Sequence, residues 1–161
     1  MKKILILFGF LLATLTSFSQ KKVDVKVNGG IQTLIPTGEL NTTHYFGLGM
    51  TAEIESLPKN SDVGYLVYSG YNYILGRGNN QSLIQFPALI GLRFYFNDIV
   101  SLTQVAGASF YNQGIGFKFT YIPSFRYEFN TLTIDCGYQI SFIEAPQKNM
   151  SGVILRAGYT F

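Results

Sequence analysis

The sequence predicts an all-β chain, an eight-stranded antiparallel up-and-down transmembrane β-barrel, and three observations lead there. From Lys21 onward, hydrophobicity repeats every two residues and not at a helical period. Short turn-forming clusters separate the alternating stretches. The composition is poor in charge (13%), rich in aromatics (16%) and holds 17 Gly, which departs from the average soluble domain.

A length of 161 residues suits one domain. Ahead of the alternating stretches, Met1-Lys2-Lys3 forms a basic tip, followed by the apolar run ILILFGFLLATLTSF and the small residues Ser17 and Ser19. This is the layout of a secretory signal peptide cut after Ser19, which divides the chain into a leader, 1–19, and a barrel domain, 20–161. A transmembrane anchor would need a longer run, roughly 20 apolar residues, and a lipoprotein would carry a Cys after it. Loss of Lys2 and Lys3 with the leader leaves ten of the twelve Lys and Arg against nine Asp and Glu. No basic excess is left for nucleic acid. The single Cys136 has no internal disulfide partner and lies on the apolar side of its stretch, where it reads as a small hydrophobe.

Eight segments follow in order, with no helix among them. The first, 23–35, sets Val23, Val25, Val27 and Ile31 against Asp24, Lys26, Asn28 and Gln32, and PTGELNTTH is the loop after it. The second, 45–56, sets Phe46, Leu48, Met50, Ala52 and Ile54 against Thr51, Glu53 and Glu55, and LPKNSD turns the chain. The third, 63–74, carries aromatics on both sides, with Val63, Tyr65, Val67, Tyr71 and Tyr73 the greasier set. After LGRGNNQ, the fourth, 82–96, opposes Ile84, Phe86, Ala88, Ile90, Leu92, Phe94 and Phe96 to Gln85, Gly91 and Arg93. Asn97-Asp98 is a tight turn. The fifth, 100–111, is the least regular because Gln104 falls among its apolar positions. The sixth, 116–130, alternates Lys118, Thr120, Ser124, Arg126 and Glu128 with Phe117, Phe119, Tyr121, Phe125, Tyr127 and Phe129. The seventh, 132–143, sets Leu132, Ile134, Cys136, Tyr138, Ile140 and Phe142 against Thr133, Asp135, Gly137, Gln139 and Ser141. The eighth, 152–161, sets Val153, Leu155, Ala157, Tyr159 and Phe161 against Arg156, Gly158 and Thr160.

The charges decide which face is outside. Nine of those in the barrel domain lie in turns or at segment ends, and the other ten are Asp24, Lys26, Glu53, Glu55, Arg93, Lys118, Arg126, Glu128, Asp135 and Arg156, each on the polar side of its segment. A soluble lipocalin-like barrel would also separate the two sets, with the greasy one inside. Volume excludes it, because eight strands enclose room for side chains or one small ligand, whereas the apolar faces carry about eighteen Phe and Tyr. The polar faces hold Gly30, Gly47, Gly49, Gly91, Gly137, Gly152 and Gly158, small enough for a crowded lumen. Five acids and five bases can neutralise one another there. Grease therefore faces lipid, on strands long enough for the about 9–11 residues that a tilted span requires, with aromatics near the segment ends as interfacial girdles. Pro87 and Pro123 fall inside segments. Since a bulge would flip the alternation beyond it and the phase holds, each strand is expected to stay unbulged and to lack one ladder bond.

The carboxyl end AGYTF, with Tyr159 two before a terminal Phe161, resembles the C-terminal signal of small outer-membrane β-barrels of Gram-negative bacteria, and IQFPALIGLRFYF resembles the proline-containing strand of the outer-membrane barrel-domain families that include PorT-like proteins. Size and strand count are similar to OmpA and OmpX barrels across residues 21–161. The resemblance implies a location in the cell outer membrane and contact with its lipid. It also implies recognition of Tyr159 and Phe161 by the barrel assembly machinery, with a secretion or envelope protein as a further partner. Barrels of this kind are structural, accessory or, in some cases, enzymes acting on lipid A.

Little in the sequence points to catalysis. His44 is the one histidine, beside Glu39, Thr42 and Thr43 at the join of the first loop and second strand, and a loop histidine is more often solvated than catalytic. No cluster has metal-ligand spacing, no nucleophile elbow occurs, and GRGNN at 76–80 lacks the Lys and the following helix of a phosphate loop. No cofactor is implied. The lumen charges could line a narrow channel or small-ligand passage. The narrowness of eight strands favours a salt-bridge plug instead, and with it a non-enzymatic barrel of structural or interactive role. A periplasmic amino end would turn the short loops 36–44, 75–81, 112–115 and 144–151 outward.

Overall fold

A computed structural model describes residues 23–142 and 149–161, so the expected leader, 1–19, and most of the loop at 144–151 lie outside the described residues. Eight strands close on themselves: β1 Val23–Thr37, β2 His44–Pro58, β3 Val63–Gly76, β4 Leu83–Tyr95, β5 Val100–Tyr111, β6 Gly116–Phe129, β7 Leu132–Phe142 and β8 Met150–Thr160. Each pairs antiparallel with its neighbours in sequence, and β8 returns to β1 over Asn28↔Thr160 to Thr37↔Ser151. Closure leaves no free sheet edge.

The two ends of the cylinder differ. At the turn end, β2–β3, β4–β5 and β6–β7 are joined by short links, in which Asn60 and Asn130 take left-handed conformations at φ 62° and 54°, tolerated by a short polar side chain. At the loop end, the β1–β2 connection contains a one-turn helix, α1, Leu40–Thr43. The sequence reading has only a loop there, because four residues carry no periodicity that could announce a helix. Tertiary burial fixes it: Leu40 is 4% exposed.

Outward-facing side chains form an apolar belt around the whole wall. Ile31 (67% exposed), Ile90 (70%) and Phe117 (74%) lie on three different strands around it. Exposed apolar surface on this scale is stable against acyl chains and not against water. The same phase holds on β5, where Gln104 does face outward, and its Oε1 accepts a hydrogen bond from the Tyr121 hydroxyl at 3.2 Å.

Both prolines sit in unshifted strands. Between β3 and β4 the pairs Ser69↔Ala88 and Asn72↔Gln85 keep one register, with pairing interrupted beside Pro87. Between β6 and β7, Tyr121↔Ile140 and Ser124↔Gly137 do the same around Pro123. Each proline removes a donor without displacing the strand. A register shift occurs elsewhere, between His44 and Gly47 where β2 meets β3, and the sequence does not announce it.

Candidate functional site

The lumen of the barrel is filled along its length by ion pairs, neutral polar groups and apolar side chains, Leu66, Leu89, Val105 and Ile122 among the last. Near the turn end, β2, β4, β6, β7 and β8 each point ionised side chains inward. Glu53 Oε2 accepts from Arg93 Nη2 at 2.9 Å and from Arg126 Nη2 at 2.7 Å, while Glu53 Oε1 accepts from Arg156 Nη1. Asp135 accepts from Arg126 through both oxygens, at 2.8 and 3.1 Å, and lies 3.5 Å from Arg156 Nε. Arg93 also donates to Glu55 and, at 2.9 Å, to Thr103; Tyr95 donates to Glu55 at 2.9 Å. Three guanidiniums thus face three carboxylates, all almost wholly buried. Desolvation on this scale is offset by close pairing and hydrogen bonding, which the planar guanidinium provides better than an ammonium, although Arg156 Nε is buried without a hydrogen bond.

The remaining four sequence-derived lumen charges lie apart from this cluster. Lys26 pairs with Glu128 at 3.5 Å in the turn-end mouth, its ammonium 5.2 Å from the centre of the Tyr95 ring. Asp24 is exposed at the start of β1, and Lys118 is half-buried at the loop end; among the described residues neither makes an ion pair. Their polar-face parity holds, but both stand at strand ends where the wall meets solvent.

The middle layer is a chain of neutral donors and acceptors. Tyr68 donates to Gln32 at 3.0 Å, Gln32 to Asn72, Asn72 to Gln85 at 3.0 Å, and Gln85 to Ser109 at 3.1 Å. Gln139 donates to both Gln85 and Tyr111 at 3.2 Å, and Tyr111 and Thr120 meet the Ser141 hydroxyl at 2.7 and 2.8 Å. Above it, toward the loops, Leu34, Leu40, Ile74, Leu83, Met150 and Ile154 form an apolar cap. The sequence reading assigns the lumen to polar groups and glycines and misses this cap. The available signal is the adjacent apolar pair: Leu34-Ile35 and Ile154-Leu155 each place one member in the cap and one outside, and Leu89-Ile90 does the same at mid-barrel.

Packing closes the passage. The space between Lys26, Asn28, Glu53, Glu55, Arg93 and Arg126 holds no water-sized void. A basin of about 340 Å³, lined by Lys26, Ser61, Asp62, Tyr95, Asn97 and Asp98, opens at the turn end above that floor.

His44 is 6% exposed, with its Nδ1 2.8 Å from the Thr43 hydroxyl, while Thr42 donates to the Glu39 carbonyl oxygen at 2.7 Å. Cys136 is exposed on the outer wall. Tyr159 and Phe161 stack edge to face with centroids 5.0 Å apart at the turn end.

No protein-family model matches the chain, and no curated protein matches it. Solved structures do. The Yersinia pestis outer membrane protein Ail in a phospholipid bilayer nanodisc is 16% identical over 85% of this chain and 98% of its own, with a TM-score of 0.59. A de novo designed transmembrane β-barrel is 12% identical over 85% and 95%, TM-score 0.55. Neisserial surface protein A is 15% identical over 87% and 98%, TM-score 0.51. At such identities the likeness concerns architecture alone, and the chain has the fold of the small eight-stranded outer-membrane β-barrels.

Proposed function

We propose that the chain is a non-enzymatic integral protein of the cell outer membrane, with a closed lumen and a structural or interactive role carried by its outer wall and loops. The observation that carries this reading is the sealed interior, with ion pairs, amides and an apolar cap stacked across the passage and no water-sized gap around Glu53. A conducting barrel would need a continuous wet path, which eight strands provide only when their side chains are small. The apolar belt and the shared fold support a bilayer location. The inaccessible His44 ring supports a role without acid–base chemistry. The surroundings implied are outer-membrane lipid, the assembly machinery that reads Tyr159 and Phe161, and an envelope or secretion protein at the loops.

Single-channel recording of the refolded mature chain in planar bilayers tests the closed lumen. Silence at moderate voltage is expected. Defined current steps that disappear on Arg126→Ala would overturn it. Mass spectrometry of lipid A with and without the protein tests the absence of chemistry, and a modification lost on His44→Ala would defeat it.

A further inference from the structure

The basin at the turn end is walled by two of the turns, and both are pinned. The backbone N–H of Tyr95 donates to the Asp62 carbonyl oxygen at 2.8 Å, which ties the β2–β3 turn to the end of β4. In the β4–β5 turn, Asn97 Oδ1 accepts from the N–H groups of Ile99 and Val100 at 2.9 and 2.7 Å, and in the β2–β3 turn the Ser61 hydroxyl oxygen accepts from the Val63 N–H at 3.1 Å. Glu55 holds the Tyr95 hydroxyl at 2.9 Å. A hollow bounded in this way is formed before any ligand arrives. Its about 340 Å³ falls at the small end of ligand sites, which run from about 300 to 1,000 Å³.

The basin carries charges of both signs at different depths. Asp62 and Asp98 stand exposed on the two turns, and among the described residues neither carboxylate has an ion pair or a hydrogen bond. Lys26 lies deeper, across from Glu55 in the β1–β2 ladder, and its side chain is still 36% exposed. Glu128, at 3.5 Å, leaves donors of that ammonium free, since an ammonium has three. Leu57 and Phe96 complete the wall with apolar surface.

We propose that the basin is a binding site for a zwitterion of dipeptide size, its carboxylate on the Lys26 ammonium, its own ammonium at Asp62 and Asp98, and its apolar side chains against Leu57 and Phe96. The signs of the lining groups select the ligand. A bare divalent cation would meet the Lys26 ammonium in the same hollow, and a simple carboxylate would meet two acids at the rim. A molecule carrying both charges finds an opposite partner at each end. The site lies outside the sealed floor, so it goes beyond the closed-lumen reading and does not depend on it.

The test follows chemical shifts by nuclear magnetic resonance in the mature chain, folded in detergent micelles, as alanyl-leucine is added. Saturable shifts at Ser61, Asp62 and Asn97, with none at the loop end, are expected. N-acetylalanyl-leucine lacks the ammonium and alanyl-leucinamide lacks the carboxylate. Each should bind roughly tenfold more weakly, the loss expected of one charge-assisted hydrogen bond. Asp62→Asn with Asp98→Asn, both on exposed turns, should abolish the preference over the acetylated peptide, and Lys26→Met the preference over the amide. Absence of shifts at the basin, equal binding of the peptides, or a preference that survives the double substitution overturns the site. The same shifts produced by calcium alone would assign the basin to a cation and overturn it as well.

Discussion

Glu53 on β2 and Arg126 on β6 stand 73 residues apart in sequence and 2.7 Å apart in the lumen, on walls that share no backbone pairing. The contact braces the barrel across its width, which the ladder of neighbouring strands does not do. Glu53 does so for Arg93 and Arg156 as well, so one carboxylate ties three strands to a fourth.

Glu53→Gln leaves three buried guanidiniums against two carboxylates. Breaking one partner of a buried ion pair costs about 3–5 kcal/mol, and loss of that order is expected in urea unfolding of the vesicle-folded protein followed by far-ultraviolet circular dichroism. Glu55→Gln, whose carboxylate is hydrogen-bonded to Arg93 and Tyr95, should cost less than Glu53→Gln. The reverse order would show that the network does not centre on Glu53.

Pro123→Ala restores an N–H in the seam between β6 and β7, where pairing lapses without a change of register. The added ladder bond is worth about 1 kcal/mol, and the freer unfolded chain takes back a similar amount, so stability should change little. The decisive measurement is amide exchange by nuclear magnetic resonance, in which the new amide at position 123 is expected to be protected. Fast exchange there would mean that the strands are held apart by something other than the missing donor.

Gly91→Ala should be damaging. A Cβ at that position would lie 1.9 Å from the Gln104 carbonyl oxygen, and that oxygen belongs to the backbone of the adjoining strand. Overpacking of this kind costs about 1–3 kcal/mol when side chains can yield, and here a strand must move. A fall of at least that size is expected in the same unfolding measurement, together with chemical-shift changes along β5. Wild-type stability would show that β4 and β5 slide more freely than their register implies.

Phe161→Ala separates assembly from stability. Phe161 is 80% exposed at the turn end and contributes an edge contact with Tyr159, so unfolding in vesicles should be nearly unchanged. If the terminal aromatic is read by the assembly machinery, the amount of folded barrel recovered from outer membranes should drop severalfold. Equal recovery would remove Tyr159 and Phe161 from that role.

Strand number, order and sidedness were legible because two-residue alternation leaves a mark on every strand: Lys118 to Glu128 reads as one wet edge and Phe117 to Phe129 as one apolar edge. The in-register prolines were legible for the same reason, since a bulge would have inverted that mark. The contents of the loop end were not. Leu34, Ile74 and Ile154 sit inside, and alternation cannot say that a strand with apolar residues on both sides has one of them in the lumen. Which charges meet was likewise hidden. Parity puts ten side chains on the inner face, but depth along the tilted strands decides that six converge while Asp24 and Lys118 reach the ends. The amide chain from Tyr68 to Ser109 joins four strands, and no pair spacing in the sequence foretells it.

The cap formed by Leu34, Ile74, Leu83, Met150 and Ile154, with Leu40 from the β1–β2 connection, relieves the rest of the connecting chain beyond it of sealing duty. Insertions or deletions that spare Leu40 and Ile115 would leave the passage closed, so the surface these segments present can change without disturbing the packed wall beneath. A scaffold of this kind invites the grafting of foreign peptides at 78–81, which lie outside the cap, whereas Leu40 and Ile115 tie their connections to it.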